Sequence, residues 1–144
     1  MDNVTGMSNT LKTLRTLQWA MLGSVVLYVA VGEFVASPTV RIDQTLSYIF
    51  SSLAVGVVGT IFVVRRTLVL PAALSLAVRP EDAVSLTHWK TGYIATYVLC
   101  EALALFGLVL RIRGSAVQHS LLFYISGFVL LLFFRPRSPA NAVT

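Results

Sequence analysis

The sequence predicts an all-α integral membrane protein: a four-helix bundle made of two antiparallel helical hairpins, with residues 1–144 forming one membrane domain. Three observations carry this prediction. Hydrophobic residues make up 56% of the chain and charged residues 12%, against roughly 45–50% and about 25% in soluble domains. The apolar residues gather into four runs, each close to the ~20 residues that a bilayer core requires. The net charge of +5 comes from Lys and Arg that cluster between those runs, which is the pattern of membrane orientation and headgroup contact.

The spans are predicted at 17–36, 45–64, 93–110 and 117–134. The first follows Lys12 and Arg15, as a signal peptide would. It is longer than the ~7–15 residues of a signal h-region, however, and Pro38 would block cleavage after Ser37, so it reads as a retained span. Arg65 and Arg66 close the second span, Arg111 and Arg113 the third, and Arg135 and Arg137 the fourth. With the N-terminus cytoplasmic, eight basic residues lie inside (Lys12, Arg15, Arg65, Arg66, Arg79, Lys90, Arg135, Arg137) and three outside (Arg41, Arg111, Arg113). The positive-inside rule therefore predicts both termini to be cytoplasmic; the protein is expected in a bacterial inner membrane.

Short outer connections at 37–44 and 113–116 force the two hairpins. The cytoplasmic connection, 65–92, is longer. Its stretch 71–78 is apolar but too short to span, which predicts a re-entrant or interfacial helix. Arg79-Pro80-Glu81-Asp82 reads as a helix start, with Pro at the first helical position and two acids in the first turn. Gly32 and Gly107 stand at the same offset from Arg15-Thr16 and Lys90-Thr91. That faint repeat fits either a duplicated hairpin or two hairpins obeying the same membrane rules.

Inside the spans the polar residues are few. Ser52, Gly56 and Thr60 recur at helical spacing with Gly59 beside them, which predicts a close helix–helix contact on the second span. Glu101 is the acid furthest from any span end. A carboxylate at that depth costs several kcal/mol unless it is offset, so the acid is expected to be protonated when no cation is bound. Counting about 1.5 Å per residue from the outer ends puts Glu101 level with Val26 and Tyr28, Ser51 and Ser52, and Tyr124 and Ser126. Tyr97 shares its helix face. The candidate proton- or cation-binding group is therefore Glu101 with Tyr97, Tyr124, Ser51 and Ser126. Glu33 lies within about one turn of the outer end of its span, where Arg41, Arg111 and His119 are the candidates for an interfacial ion-pair cluster.

Several function classes find no support. No Ser-His-Asp arrangement, His-Glu-x-x-His motif, phosphate-cradling loop or cofactor fingerprint is present; no catalytic residue and no cofactor are expected. Glu33 and His119 supply too few ligands for a metal site. Cys100 is the only cysteine, and its place within a span marks it as a small core residue. No basic stripe interleaved with aromatics suggests nucleic acid. The partner expected is the lipid bilayer; a homo-oligomer and a membrane-complex partner both stay open.

The stretch Cys100-Glu-Ala-Leu-Ala-Leu-Phe-Gly-Leu-Val-Leu110 resembles the carboxylate-bearing helix of rotor-ring proteolipids, subunit c of rotary ATPases, whose acid carries the transported proton. The resemblance implies the same role for Glu101. In that family the acid sits on the second helix of a hairpin, whereas Glu101 is on the first helix of the second hairpin. The same stretch, with Phe134-Arg-Pro-Arg137, is also similar to a set of uncharacterised bacterial four-span membrane proteins, a resemblance that implies no activity. The function expected is thus non-enzymatic, centred on a membrane-embedded carboxylate. The alternative is a structural or assembly subunit in which Glu101 is only a buried hydrogen-bonding residue.

Overall fold

The four apolar runs fold as helices; the first and third extend well past the predicted spans, the second continues into a further helix, and the fourth matches its span to within a residue. The computed structural model describes residues 2–36 and 44–136. Helix α1 runs from Asp2–Val35 and α2 from Gln44–Val64. A π-helical turn at Arg65–Val69 leads without a break into α3, Leu70–Val78. Helix α4 spans Ala83–Ile112 and α5 Val117–Phe133. Three helical stretches are long and apolar enough to cross a membrane: Met7–Val35, Thr45–Val78 and Ala83–Ile112. The 17 residues of α5 reach about 25 Å, the lower end of what a span needs.

Contacts fix the directions. Helix α1 runs parallel to α4, since Ser24 and Tyr28 meet Glu101 and Glu33 meets Arg111. Helix α2 runs antiparallel to α4, with Phe50 against Phe106 near one end and Arg65 over Tyr93 towards the other. Helix α5 is antiparallel to α1, pinned by the buried Gln18 amide donating to the Leu131 carbonyl at 2.7 Å. The bundle is centred on α4, which packs on α1, α2, α3, the π turn and α5. The two helices of the first predicted hairpin, α1 and α2, make no contact with each other among the described residues, because α4 lies between them.

Close approach occurs between α4 and α5, and glycine permits it. A Cβ on Gly127 would lie 2.7 Å from the Cys100 carbonyl oxygen, and one on Gly107 would lie 2.9 Å from the Ser120 carbonyl oxygen. The predicted packing stripe is elsewhere and faces outward. Ser52, Gly56, Gly59 and Thr60 are all exposed, with nothing within 4 Å of the Cβ positions of Gly56 and Gly59. The Thr60 hydroxyl is satisfied within its own helix by the Gly56 carbonyl at 2.8 Å. The α4–α5 turn needs its own glycine: Gly114 has φ 88°, in the left-handed region that a side chain disfavours.

The apolar segment 71–78 does not stand apart as a separate element of the connection. It prolongs α2 as α3 and buries Ala72, Ala73 and Leu76 in the same core cluster as Trp89. Pro71 explains the π turn that precedes it. Its ring cannot sit against the carbonyl four residues back, and the Leu70 amide reaches instead to the Arg65 carbonyl, five residues back. Gly92 leaves room for this widened turn, since a Cβ there would meet Val69 Cγ2 at 2.6 Å and Leu68 Cβ at 3.3 Å. Gly92→Ala should therefore lose about 1–3 kcal/mol by overpacking, read as a lower thermal midpoint in detergent.

Helix α4 starts three residues later than Pro80 predicts. Asp82 is its N-cap, accepting from the Val84 amide at 3.1 Å and from the Ser85 hydroxyl at 2.6 Å. Pro80 and Glu81 lie in the preceding turn. The Ser85 hydrogen bond, helped by nearby amides and Arg79, holds the Asp82 carboxyl below the usual carboxylate range. A depressed folded-state value means that the cap's contribution is fully present above that range and is lost as pH falls through the depressed value. The protection factors of the Val84 and Ser85 amides, taken against the intrinsic exchange rate at each pH, should accordingly fall on acidification, and Asp82→Ala should show the low protection already at neutral pH.

Candidate functional site

About halfway along α4, Glu101 turns towards α1 and meets two hydroxyls spaced one helical turn apart. The Ser24 and Tyr28 hydroxyls each lie 2.7 Å from Glu101 Oε1. Ser24 Oγ is also 2.8 Å from the Met21 carbonyl oxygen. Tyr28 is tied in turn to α5, whose Tyr124 hydroxyl reaches the Tyr28 carbonyl at 3.4 Å. Gly32 leaves the space for that approach, since a Cβ there would lie 2.7 Å from the Tyr124 hydroxyl. Ser24, Tyr28 and Glu101 are all half-buried, so the group sits at the seam of α1 and α4 rather than in the sealed core.

The hydrogens in this group can be counted. Three short approaches, Glu101 to Ser24, Glu101 to Tyr28 and Ser24 to Met21, each need one hydrogen. Two hydroxyls supply two, because each has a single O–H. With an ionised carboxyl, the Ser24 hydrogen can serve Glu101 or the Met21 carbonyl. With a protonated one, Oε1 donates to Ser24, Ser24 donates to Met21, and Tyr28 donates to Oε1.

The sequence-predicted partners of Glu101 lie elsewhere. Tyr97, one turn before it on α4, is fully buried and stacks near Tyr93 with ring centroids 6.1 Å apart. Its hydroxyl has no hydrogen-bond partner. Tyr124 contributes only indirectly, through Tyr28. Ser51 and Ser126 come together, but in a different place: a groove of ≈ 350 Å³ between α2 and α5, floored by Leu103. Leu103 is two residues from Glu101 and so about 200° round the helix. Equal depth misled the expectation, because depth does not fix the side of α4. Tyr28 was visible by depth. Ser24 was missed, although its i, i+4 spacing to Tyr28 was a readable signal.

At the other end of the α1–α4 seam, Glu33 and Arg111 form the expected ion pair in bidentate form. Arg111 Nε donates to Oε1 at 2.8 Å and Nη2 to Oε2 at 2.7 Å. Nη1 donates to the Ser115 carbonyl at 3.0 Å, which ties the pair to the α4–α5 turn. Such a fork fixes orientation as well as charge. His119 is exposed in the first turn of α5 and is not part of the pair. Arg41 lies outside the described residues.

No family model, curated protein or solved structure matches this chain.

Proposed function

We propose that the chain is a non-enzymatic, membrane-embedded proton-binding bundle whose site is Glu101 with Ser24 and Tyr28. The observation that carries the reading is the hydrogen count: a third proton on the carboxyl gives every short approach its hydrogen. The proteolipid-like stretch around Glu101 agrees with this chemistry. The eight-to-three distribution of Lys and Arg supports an orientation with both termini cytoplasmic.

The test is reaction with a membrane-permeant carbodiimide, which attacks protonated carboxyls, followed by mass spectrometry of the Glu101 peptide. The proposal expects modification at Glu101 in the wild type that declines as pH rises and vanishes in Glu101→Gln. A wild-type peptide that stays unmodified at every pH, while accessible carboxyls react, would overturn it in favour of a purely structural Glu101.

A further inference from the structure

Arg65 is a cation held against rings, with no acid beside it among the described residues. Its guanidinium carbon lies 4.2 Å from the centroid of Phe134 and 5.4 Å from that of Tyr93. Nη1 is buried without a hydrogen-bond partner, and the Arg65 side chain makes no hydrogen bond or salt bridge among the described residues. The π turn that begins at Arg65 helps place it there: one extra residue in the turn changes the rotation of the helix beyond it, and Arg66 next to it is exposed. Cation–π contact offsets part of the desolvation of a guanidinium, but it leaves the charge unneutralised.

The same arginine stands at one end of the seam between α2 and α5. Phe62 of α2 meets Phe134 at that end, with centroids 6.3 Å apart, and the exposed Arg135 is the next residue. Further along, the helices part into the groove lined by Ser51, Val55, Val58, Leu122 and Ser126. Val58 and Ser51 lie about 10 and 21 Å along the helix from Arg65 at 1.5 Å per residue. Half the thickness of a bilayer core is about 15 Å. An acyl chain whose headgroup rests at Arg65 would therefore run into this groove.

We propose that this seam is a binding site for one anionic phospholipid, its phosphate on Arg65 with Arg135 beside it and one acyl chain in the α2–α5 groove. The ligand class follows from the two halves of the site: a guanidinium with no acid beside it among the described residues, able to fork onto phosphate oxygens, and an apolar groove whose lining begins about 10 Å further along α2, at the depth of the lower part of an acyl chain. The site is on the far side of α4 from Glu101 and does not depend on that acid being protonated.

Native mass spectrometry of the detergent-purified full chain, titrated with phosphatidylglycerol, tests it. One phosphatidylglycerol should be retained in preference to phosphatidylcholine. Arg65→Gln should weaken its binding about fivefold, the value of one basic residue against an anionic lipid. Arg66→Gln should leave this one bound lipid in place. Ser126→Trp, at an exposed position whose hydroxyl bonds only its own helix, should displace the long-chain lipid by filling the groove, and it decides the matter if Arg65→Gln fails to fold. Equal retention of the two lipids would overturn the proposal. So would a short-chain phosphatidylglycerol or glycerol phosphate binding as well as the long-chain lipid, or a second copy of the chain occupying the seam.

Discussion

Replacing Gly127 by alanine should lower stability more than any other single-methyl addition in the bundle. The added Cβ would meet the Cys100 carbonyl oxygen at 2.7 Å, the Ala104 amide nitrogen at 3.2 Å and the Ala104 Cβ at 3.3 Å. Two of these atoms are backbone, so no side chain can rotate away and α4 and α5 must separate. Separation also loosens the Gly107–Ser120 approach on the same face. Alanine improves helix propensity by about 0.5–1 kcal/mol, while overpacking a tight contact costs about 1–3 kcal/mol, so the clash wins. Gly23→Ala is the control: its Cβ would meet nothing within 4 Å, and only the propensity gain should remain. Thermal unfolding in one detergent should move the two variants in opposite directions.

The second large effect separates charge from hydrogen bonding at Glu101. In Glu101→Leu the Tyr28 hydroxyl loses the carboxyl acceptor it meets at 2.7 Å, while Ser24 keeps the Met21 carbonyl. A half-buried hydroxyl left unpaired costs about 1–3 kcal/mol, and the leucine methyls must also displace the carboxyl from its seam. Glu101→Gln keeps an acceptor at the same place and should cost under about 1 kcal/mol. The two variants should therefore differ clearly in thermal midpoint, yet both should lack carbodiimide reactivity at this position. Equal midpoints would mean that Tyr28 and Ser24 do not hold the acid as described.

Patterns that depend on one helix at a time were legible in the sequence, and patterns that depend on which helices meet were not. Apolar run length gave the helices, and the bidentate Glu33–Arg111 pair followed from two charges at one membrane level. The stripe Ser52, Gly56, Thr60 obeyed the same spacing rule as the real contact of Cys100 and Ala104 with Gly127. Spacing alone cannot tell a face that meets another helix from one that looks outward. The central place of α4 separated α1 from α2, which loop length alone would have paired. Likewise Ser51 and Ser126 stood at the right depth for Glu101 but on the opposite side of its helix. The π turn was hidden in a run of ordinary helix formers, with Pro71 as its only written trace.

Infrared spectroscopy with isotope-labelled glutamate addresses the central claim most directly, since the chain holds only Glu33, Glu81 and Glu101. A protonated-carboxyl carbonyl band should be present at neutral pH, absent in Glu101→Gln, and replaced by carboxylate bands as pH is raised. A wild-type spectrum with carboxylate bands alone across the whole range, or a protonated band that persists in Glu101→Gln, would contradict a proton on Glu101.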